Sequence, residues 1–371
     1  MRIVFVCGCL EPGNDGVGDY TRRLAAELIR QGHTAGILAL HEPGREWVFS
    51  GQQFDEQIPV PVLRLSQCLS WPERMRYAQA WVAQQNPEVL SLQYVPFSYD
   101  AKGLPWGLAG QLKTLGKNVP WHVMFHEIWV GTRQGSSVKQ MLWGSLQQAI
   151  LRRLVKQLAP QQIHTQSQLY QAFLARQKVQ AGLLPLFGNV PLQPQPFRVN
   201  THDYLEIIVF GTVHADALWR EAIQELSQQD RPMRLTFIGR NGSHAKACIE
   251  WCTQMQLPVR LLGEQALERI SFVLSQADIG LTSTALPMVE KSGTVAAMLE
   301  HGLPVLCIAS AWQPRGVPSP PLPLHVYAYR VGQVFQLLDS LQKHPPKNRI
   351  ARTAEQLTRQ LSPRRSYSTL L

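Results

Sequence analysis

The sequence predicts an α/β fold built from two lobes, each containing a mostly parallel sheet. Short apolar runs alternate with amphipathic helical stretches over almost the whole chain, which is the pattern of βα units. The chain has 371 residues and 45% of them are hydrophobic, whereas single cores stop growing at about 250–300 residues. Two compact domains are therefore expected.

Apolar runs predict the strands of the first lobe. In order, these strands are Arg2–Cys7, Thr34–Leu40, Val60–Leu65, Glu88–Tyr94, Trp121–Phe125, Gln161–Thr165 and Leu183–Phe187. Helical periods lie between them, most clearly in residues 19–30, where Leu24, Ala25, Leu28 and Ile29 share one face. This alternation favours a parallel sheet with helices packed against it.

The periodicity fails after Phe187, where Pro191, Pro194 and Pro196 stand among Gln and Asn, as is typical of a linker. A second set of units follows. Its predicted strands are Leu205–Phe210, Arg234–Ile238, Val259–Leu262, Ile279–Thr282, Pro304–Ile308 and His325–Tyr329, with a last helix at Asn348–Leu361. The predicted domains are 1–187, a linker at 188–203, a second lobe at 204–345, and a C-terminal helix with a basic tail at 346–371.

The net charge of +10 is unevenly distributed. Between Ile128 and His202 the chain has no Asp or Glu but eight Lys or Arg. Such a field attracts nucleic acid, anionic lipid or a phosphorylated small molecule, and a basic face with no partner explains it equally. Because no nucleic-acid-binding motif accompanies the charge, no nucleic-acid partner is expected.

A basic amphipathic helix is predicted within this acid-free stretch. Helical spacing in 137–158 brings apolar residues together, flanked by Lys139, Arg152, Arg153 and Lys156. Such a helix lies on an anionic membrane or faces the core with a charged outer side, and the sequence leaves both interpretations open. No run approaches the roughly 20 apolar residues of a membrane helix, and no signal peptide is apparent. We expect a cytoplasmic protein with peripheral membrane contact as an alternative.

Two glycine-rich or polar segments follow strands of the first lobe, where ligands bind in parallel sheets. Gly13, Gly16 and Gly18 lie just before a predicted helix, and they either form a turn or let a ligand approach the backbone closely. The pair His126-Glu127 ends an apolar strand. His126 either faces a ligand or has a structural role with a hydrogen bond to a loop.

The stretch from Glu290 to Thr294 occupies the equivalent place in the second lobe. Ser292, Gly293 and Thr294 are expected to begin a helix that runs to Glu300, with Gly302 terminating it. The hydroxyls, the unobstructed backbone N–H groups, the helix dipole and Lys291 together favour a bound diphosphate. Ordinary helix capping explains the serine and the glycine as well.

These segments together resemble the retaining glycosyltransferases with two Rossmann-like lobes facing a central cleft (GT-B), and family 4 in particular. The resemblance covers roughly residues 1–310 in order. It rests on Gly16-Val-Gly-Asp-Tyr-Thr21, the pair His126-Glu127, the strand-end glycines Gly211 and Gly239, and His301-Gly-Leu-Pro-Val305. It implies a nucleoside-diphosphate sugar held mainly by the C-terminal lobe, an acceptor held mainly by the N-terminal lobe, and transfer without a cofactor or bound metal.

The resemblance also implies roles for individual residues. The catalytic candidates are His126, Glu127 and Lys291. The donor-binding candidates are Gly16, Gly18, Gly211, Thr212, Arg240, Glu290, Ser292, Gly293 and Thr294. The acceptor-side candidates are Asp19, Tyr20 and Tyr94. The acceptor itself is unknown, and a lipid-linked or cell-envelope molecule would suit a membrane-bound helix.

Three departures from the family pattern are visible. The family has Arg after the glycine at position 211 and Lys about five residues later, but this chain has Thr212 and Asp216-Ala217. The second of two spaced glutamates, which holds the ribose hydroxyls in the family, is absent near Ala297 and Met298. A catalytically impaired protein that binds or scaffolds a partner is therefore one alternative, and a nucleotide-sugar epimerase is a less favoured one.

Overall fold

The computed structural model describes residues 1–13, 16–44, 46–116, 118–193 and 203–362. The chain divides into two units: Met1–Pro185 together with the segment that begins at Ile350, and Leu186–Arg349. Each unit contains a sheet of mostly parallel strands. The predicted α/β class with two such sheets is therefore confirmed.

The first unit is built on an eight-stranded sheet of order β3-β4-β2-β1-β5-β6-β7-β8. Its strands are β1 (Arg2–Cys7), β2 (Thr34–Glu42), β3 (Phe49–Asp55), β4 (Ile58–Ser66), β5 (Val89–Tyr94), β6 (Trp121–Phe125), β7 (Gln162–Thr165) and β8 (Gly182–Leu183). The helices between them are α1 (Gly16–Arg30), α2 (Trp71–Gln85), α3 (Leu108–Leu112), α4 (Val138–Leu158) and α5 (Gln168–Arg176). The pairing of β3 with β4 is antiparallel and the other described pairings in this sheet are parallel.

Strand β3 has no counterpart among the predicted strands. Its sequence, Phe-Ser-Gly-Gln-Gln-Phe-Asp, is mostly polar, and the strand lies at the edge of the sheet with exposed or half-buried side chains. An edge strand of this kind has no apolar run to reveal it. Strand β8 is shorter than predicted because Pro185 has no backbone N–H to continue the ladder.

The second unit contains a six-stranded parallel sheet of order β11-β10-β9-β12-β13-β14. Its strands are β9 (Leu205–Phe210), β10 (Met233–Ile238), β11 (Val259–Gly263), β12 (Ile279–Thr282), β13 (Val305–Cys307) and β14 (Val326–Ala328). Its helices are α6 (Trp219–Ser227), α7 (His244–Gln254), α8 (Leu267–Gln276), α9 (Gly293–Glu300) and α10 (Val334–Leu338). Alternate residues of β9 enter two separate apolar clusters, Ile207 and Val209 in one and Ile208 in the other, so helices cover both faces.

The last helix, α11 (Ile350–Leu361), returns to the first unit. It packs against α1, and the Gln31 amide donates to the carbonyl of Ala351 at 3.0 Å. The Gln356 amide donates to the carbonyl of Leu183 at 2.7 Å. The sequence predicted this helix as part of a separate segment, 346–371, whereas the structure makes it an element of the first unit. Residues 363–371 of the predicted tail lie outside the described residues.

The start of the predicted linker packs on the second unit. Val190 is 3% exposed and belongs to a core cluster of that unit. The backbone of Gly188 lies so close to Ala297 that a Cβ on this glycine would stand 2.7 Å from the Ala297 Cα. Residues 194–202 of the predicted linker lie outside the described residues. The second unit therefore begins before residue 204.

A buried polar row crosses the interior of the first sheet. The Ser91 hydroxyl on β5 lies 2.8 Å from Nδ1 of His122 on β6, and Nε2 of His122 lies 2.9 Å from Nδ1 of His164 on β7. All three side chains are at most 1% exposed. Burial lowers the pKa of His164 to about 4. Burial and the neighbouring histidines lower the pKa of His122 well below its ordinary range.

We expect the buried His164 to make the fold sensitive to acid. Its pKa is near 6.5 in an unfolded chain and about 4 in the folded protein, so the unfolded chain binds more protons between these values. Stability contributed by neutral His164 is present above pH 6.5 and is lost as pH falls toward 4. The loss between pH 7 and pH 5 is about 2 kcal/mol.

Thermal unfolding of His164→Gln at the two pH values measures this contribution. The variant should lose less stability than the wild type between pH 7 and pH 5. His244→Gln, which removes an exposed histidine from α7, should behave as the wild type does. Equal pH dependence in all three proteins would contradict the assignment.

Candidate functional site

The loop that follows β1 is held by a buried ion pair. Glu42 and Arg64 lie side by side on β2 and β4, with side chains 0% and 3% exposed and a separation of 2.7 Å. The Glu42 carboxylate also accepts from the backbone N–H of Leu10 at 2.7 Å, and Arg64 reaches Glu11 at 2.6 Å. These contacts fix the path of the chain toward the predicted glycine-rich site.

The beginning of α1 follows this loop. Asp19 accepts from the backbone N–H of Gly13, with both carboxylate oxygens at 3.2 Å, and forms an ion pair with Arg22. Gly13 has φ of 71°, a conformation that favours glycine. Asp19 was predicted to contact an acceptor. In the structure its carboxylate accepts hydrogen bonds from the loop that precedes α1. Gly18 is buried, while Gly16 is exposed with no atom within 4 Å of the place where a Cβ would stand.

His126 lies directly after β6 and is 3% exposed. Its ring meets the ring of Tyr20 edge-on, with centroids 4.9 Å apart. Its Nε2 lies 2.8 Å from Oε1 of Gln93, and its Nδ1 lies 2.9 Å from Nε2 of Gln166. Because an amide oxygen only accepts, Nε2 carries the hydrogen and Nδ1 accepts from Gln166. Both ring nitrogens therefore have protein partners, and these partners are side-chain amides.

The other first-lobe candidates have different environments. Glu127 is exposed beside the buried His126, and the backbone N–H groups of both residues donate to the carbonyl of Tyr94 at 3.3 and 3.1 Å. Tyr94 itself is 1% exposed and packs against Tyr99 and Phe125. Its predicted contact with an acceptor is not supported by this position, because its side chain is part of the core.

In the second unit, loops after neighbouring strands meet at the carboxyl edge of the sheet. Gly211, after β9, has φ of 86°, and a Cβ on this residue would lie 2.8 Å from Cγ2 of Thr294. The Asn241 amide, after β10, donates to the carbonyl of Gly211 at 2.8 Å. The Ser283 hydroxyl, after β12, donates to the carbonyl of Thr212 at 3.0 Å. The predicted donor loop therefore touches the beginning of α9.

Helix α9 begins as the sequence predicted. The Ser292 hydroxyl accepts from the backbone N–H of Val295 at 3.3 Å and lies 3.0 Å from the Thr294 hydroxyl. No atom lies within 4 Å of the place where a Cβ on Gly293 would stand. Lys291 ends a 3₁₀ helix directly before Ser292. We call Gly211 and Ser292–Thr294 the α9 site. The first N–H groups of a helix lack intrahelical partners, so this site suits an anion.

Two further donor-side candidates lie near this edge. Arg240, which follows β10, forms an ion pair with Glu264 at 2.8 Å, and both side chains are more than 60% exposed. Such a surface pair is worth at most about 1 kcal/mol, so it does not prevent Arg240 from turning toward a ligand. Glu290 is half-buried within the 3₁₀ helix that precedes α9.

Residues 15–190 match the family model described as a glycosyl transferase 4-like domain. This stretch includes α1 and the strand β6, which His126 directly follows. This stretch is therefore similar to glycosyl transferase 4-like domains. A search of curated protein sequences gives no significant match to the chain.

Solved structures with a similar fold include a galactosyltransferase and a UDP-GlcNAc 2-epimerase. The outer-core lipopolysaccharide galactosyltransferase WaaB is 12% identical, with a TM-score of 0.51 over 96% of this chain and 95% of that one. HepE of Anabaena, in complex with UDP, is 12% identical, with a TM-score of 0.55 over 97% and 95%. The UDP-GlcNAc 2-epimerase of Neisseria meningitidis, bound to UDP-GlcNAc, is 11% identical, with a TM-score of 0.56 over 97% and 99%. The stretch that matches the glycosyl transferase 4-like model thus lies in a chain with the GT-B fold.

The structure shows the surroundings of the positions where this chain departs from the pattern of the family that it resembles. Asp216, near the place of the family's lysine, accepts from the Ser310 hydroxyl at 2.6 Å. Ala297 and Met298 lie within α9 and are fully buried in a core cluster, so neither position faces a ligand. Glu300 lies at the other end of α9, and its carboxylate accepts from the backbone N–H of Arg349 at 3.3 Å. Glu300 therefore holds the returning chain and does not replace the missing carboxylate.

The sequence missed the residues that hold the candidates in place. Gln93 and Gln166 hold His126, while Asn241 and Ser283 hold the loop at Gly211. The available signal was position, because Gln93 is polar within an apolar strand, Gln166 and Ser283 directly follow strands, and Asn241 lies three residues after one. Among the described residues, 1–13, 16–44, 46–116, 118–193 and 203–362, no three His, Cys, Asp or Glu side chains lie close enough together to hold a metal ion.

Proposed function

We propose that the protein is a hexosyltransferase-type glycosyltransferase that moves a sugar from a nucleoside-diphosphate sugar to an acceptor. We propose further that transfer retains the anomeric configuration and requires no bound metal. The observation that carries the proposal is the α9 site, where a glycine loop meets the open end of a helix in a chain with a glycosyl transferase 4-like domain. Retention follows from the family resemblance.

The α9 site supplies what a departing nucleoside diphosphate needs. Negative charge develops on the diphosphate as the bond to the sugar breaks, and preorganised N–H donors stabilise such charge. The first turn of α9 offers backbone N–H groups, Ser292 and Thr294 offer hydroxyls, and Lys291 offers a positive charge. These groups take the place of the two cations that the family has at positions 212 and 216–217.

In the first unit, we propose that Gly16 lets the reacting part of the donor approach the backbone. His126 orients the sugar by its fixed position rather than by transferring a proton, because both of its ring nitrogens are engaged. Glu127 is exposed beside it, and we propose that it contacts the sugar or the acceptor. Tyr20 supports the His126 ring at the same edge.

Transfer assays with UDP-, GDP- and ADP-sugars test the proposal. The UDP complex of HepE and the UDP-GlcNAc complex of the epimerase make uridine donors the first choice. Donor turnover should be seen with the wild type and should fall strongly in Lys291→Ala and His126→Ala. If no nucleotide sugar binds at millimolar concentration, the proposal is wrong.

The same assay separates the two alternatives. An epimerase converts the nucleotide sugar without an acceptor, so product analysis in the absence of acceptor identifies it. A protein that only binds a partner shows no change in melting temperature with any nucleotide sugar. The family's Arg, Lys and Glu are absent from this chain, which has Thr212, Asp216 and Met298 at or near their places. This absence is the reason to include the second outcome.

We also propose that α4 contacts an anionic membrane. Its inner side is buried through Ile150, Leu151 and Leu154, as a core-facing helix requires.

The first half of α4 also has exposed apolar side chains. Val138, Leu142 and Leu146 are 66%, 65% and 43% exposed. The exposed cations of the same helix are Lys139, Arg152, Arg153 and Lys156. Exposed apolar side chains beside cations are typical of helices that lie at a membrane surface. None of the described helices is long and apolar enough to cross a bilayer.

Vesicle sedimentation tests this contact. The wild type should bind vesicles that contain anionic lipid more strongly than neutral ones, and Leu142→Ser with Leu146→Ser should lower that binding at least about tenfold, since each loses roughly 1–2 kcal/mol of apolar burial. Leu267→Ser, which changes a leucine of α8 that is 45% exposed, serves as the control. Absence of binding to both kinds of vesicle would remove the membrane contact.

A further inference from the structure

A continuous chain of hydrogen bonds runs through the first unit from α11 to His126. We call it the histidine chain, and its members in order are Gln360, His164, His122, Ser91, Gln93, His126 and Gln166. Successive polar atoms along it lie 2.6 to 2.9 Å apart. Gln360 is exposed on α11, whereas the other six side chains are at most 7% exposed.

The chemistry of the two ends gives every bond in the histidine chain the same direction. His164 donates from Nε2 to the Gln360 carbonyl oxygen, so its Nδ1 accepts from Nε2–H of His122. The Ser91 hydroxyl then donates to Nδ1 of His122 and accepts from the Gln93 amide. The Gln93 oxygen accepts from Nε2–H of His126. A single arrangement of neutral groups satisfies each donor and acceptor.

We propose that this chain makes Gln360, on the C-terminal helix, a positioning residue for His126. The proposal rests on the proposed function, in which His126 faces the sugar. Gln360 accepts a hydrogen bond from Nε2–H of His164 and thereby determines the tautomer of His164. The tautomer of His164 then determines which atom donates in the next hydrogen bond, and the same holds at each following residue. His126 is held with hydrogen on Nε2 and with its ring fixed between Gln93 and Gln166.

One added proton reverses the direction of the chain. If His164 gains a proton on Nδ1, it must donate toward His122, which then moves its own hydrogen from Nε2 to Nδ1. Ser91 must accept that bond, and the Gln93 amide must turn over. His126 must then take the Nδ1–H tautomer, and the Gln166 amide must also turn over so that its oxygen accepts from Nδ1–H. No atom is gained beyond the one proton. The tautomer of His126 therefore reports the protonation of His164 on the neighbouring strand β7.

Few charged groups compete for this effect. The titratable group that faces His164 from β6 is His122. The side chain that contacts His164 from α11 is the neutral Gln360. On β7 itself, the amide of Gln162 lies 3.4 Å from Nε2 of His164. On β8, the neighbour of His164 is Gly182, which has no side chain. His122 in turn is faced by His164 and, farther away, by His126. A new charge at position 360 would therefore be the nearest one to His164.

Gln360→Glu tests the coupling, with Arg359→Gln as the matched control. Both variants lower the net charge by one unit on exposed positions of α11, but only the first places a carboxylate against His164. A carboxylate at this distance raises the pKa of His164 by about one to three units. Ring-nitrogen NMR of histidine-labelled protein without any donor should show His126 changing tautomer at this higher pH in Gln360→Glu, and not in Arg359→Gln.

A second variant distinguishes transmission along the chain from a general effect of charge. Gln93→Met keeps the shape of the side chain but removes its hydrogen bonds, so His126 should no longer follow His164 when this change is combined with Gln360→Glu. An unchanged His126 tautomer while His164 is protonated in Gln360→Glu would overturn the proposal. So would a His126 response that persists after Gln93→Met.

The same variants separate this proposal from the proposed function. If the protein is a sugar transferase, Gln360→Glu should move the acidic limb of the kcat profile upward by the shift seen in NMR, while KM for the donor stays near the wild-type value. NMR coupling without any sugar transfer would leave the histidine chain standing and contradict the enzymatic role alone.

Discussion

Gly293→Ala is expected to lower kcat/KM for sugar transfer by about 10²-fold while leaving the melting temperature unchanged. No protein atom lies within 4 Å of the place where the new methyl group would stand, and Gly293 does not have a positive φ. Alanine is therefore tolerated at the start of α9. The methyl group would displace a diphosphate bound against the helix, and the diphosphate would lose its hydrogen bond to a backbone N–H. This loss is comparable to removal of one oxyanion-hole hydrogen bond.

The matched control for this variant is Gly110→Ala on α3. Gly110 is exposed, has no positive φ and has equally open space around it, but it lies outside the candidate sites. Gly211→Ala is unsuitable as a control because its φ of 86° and its contact with Thr294 would strain the backbone. Wild-type kcat/KM in Gly293→Ala would show that no diphosphate approaches this helix.

Glu42→Ala is expected to cause the largest loss of stability among the substitutions considered. The Glu42 side chain is fully buried, so its removal leaves Arg64 with a poorly compensated charge and Leu10 without its side-chain acceptor. Breaking one side of a buried ion pair costs about 3–5 kcal/mol. Differential scanning calorimetry should show a fall of about 10 °C or more in the melting temperature.

A double variant distinguishes loss of the pair from loss of packing. Glu42→Met combined with Arg64→Met replaces the whole pair with apolar groups and should recover most of the lost stability. Glu56→Ala, which breaks an exposed pair with Arg30 at 3.0 Å, should change stability by less than about 1 kcal/mol. Equal losses in Glu42→Ala and in the double variant would show that the poorly compensated charge of Arg64 is not the cause of the loss.

Strands with an apolar run between polar or glycine boundaries were predicted with their observed ends. Examples are β1, β6, β9 and β12, whose ranges agree with the sequence prediction. Strand β3 was missed because an exposed edge strand needs no apolar residues. The amphipathic pattern of α11 revealed that one face is buried, with Ile350, Ala354 and Leu357 along it. It gave no information about which unit would cover that face.

The candidate site in the second unit was predictable because strand order alone brings its parts together. Strands β9 and β12 are neighbours, so their following segments, at Gly211 and at Ser292–Thr294, meet at one edge. The first unit was harder, because the sequence shows only that Tyr94 is an aromatic residue at a strand end. The side chain of such a residue points either into the core or out of it. In the structure, packing against Tyr99 and Phe125 places the Tyr94 side chain in the core. The bonds of Gln93 and Gln166 to His126 join three separate strand ends and leave no local pattern.

A structure with a bound nucleoside-diphosphate sugar tests the donor assignment most directly. We predict that the diphosphate oxygens lie against the backbone N–H groups of Gly293 and Thr294, next to Gly211 and within reach of Lys291. A diphosphate bound away from the start of α9, or no binding at saturating donor concentration, would contradict the assignment.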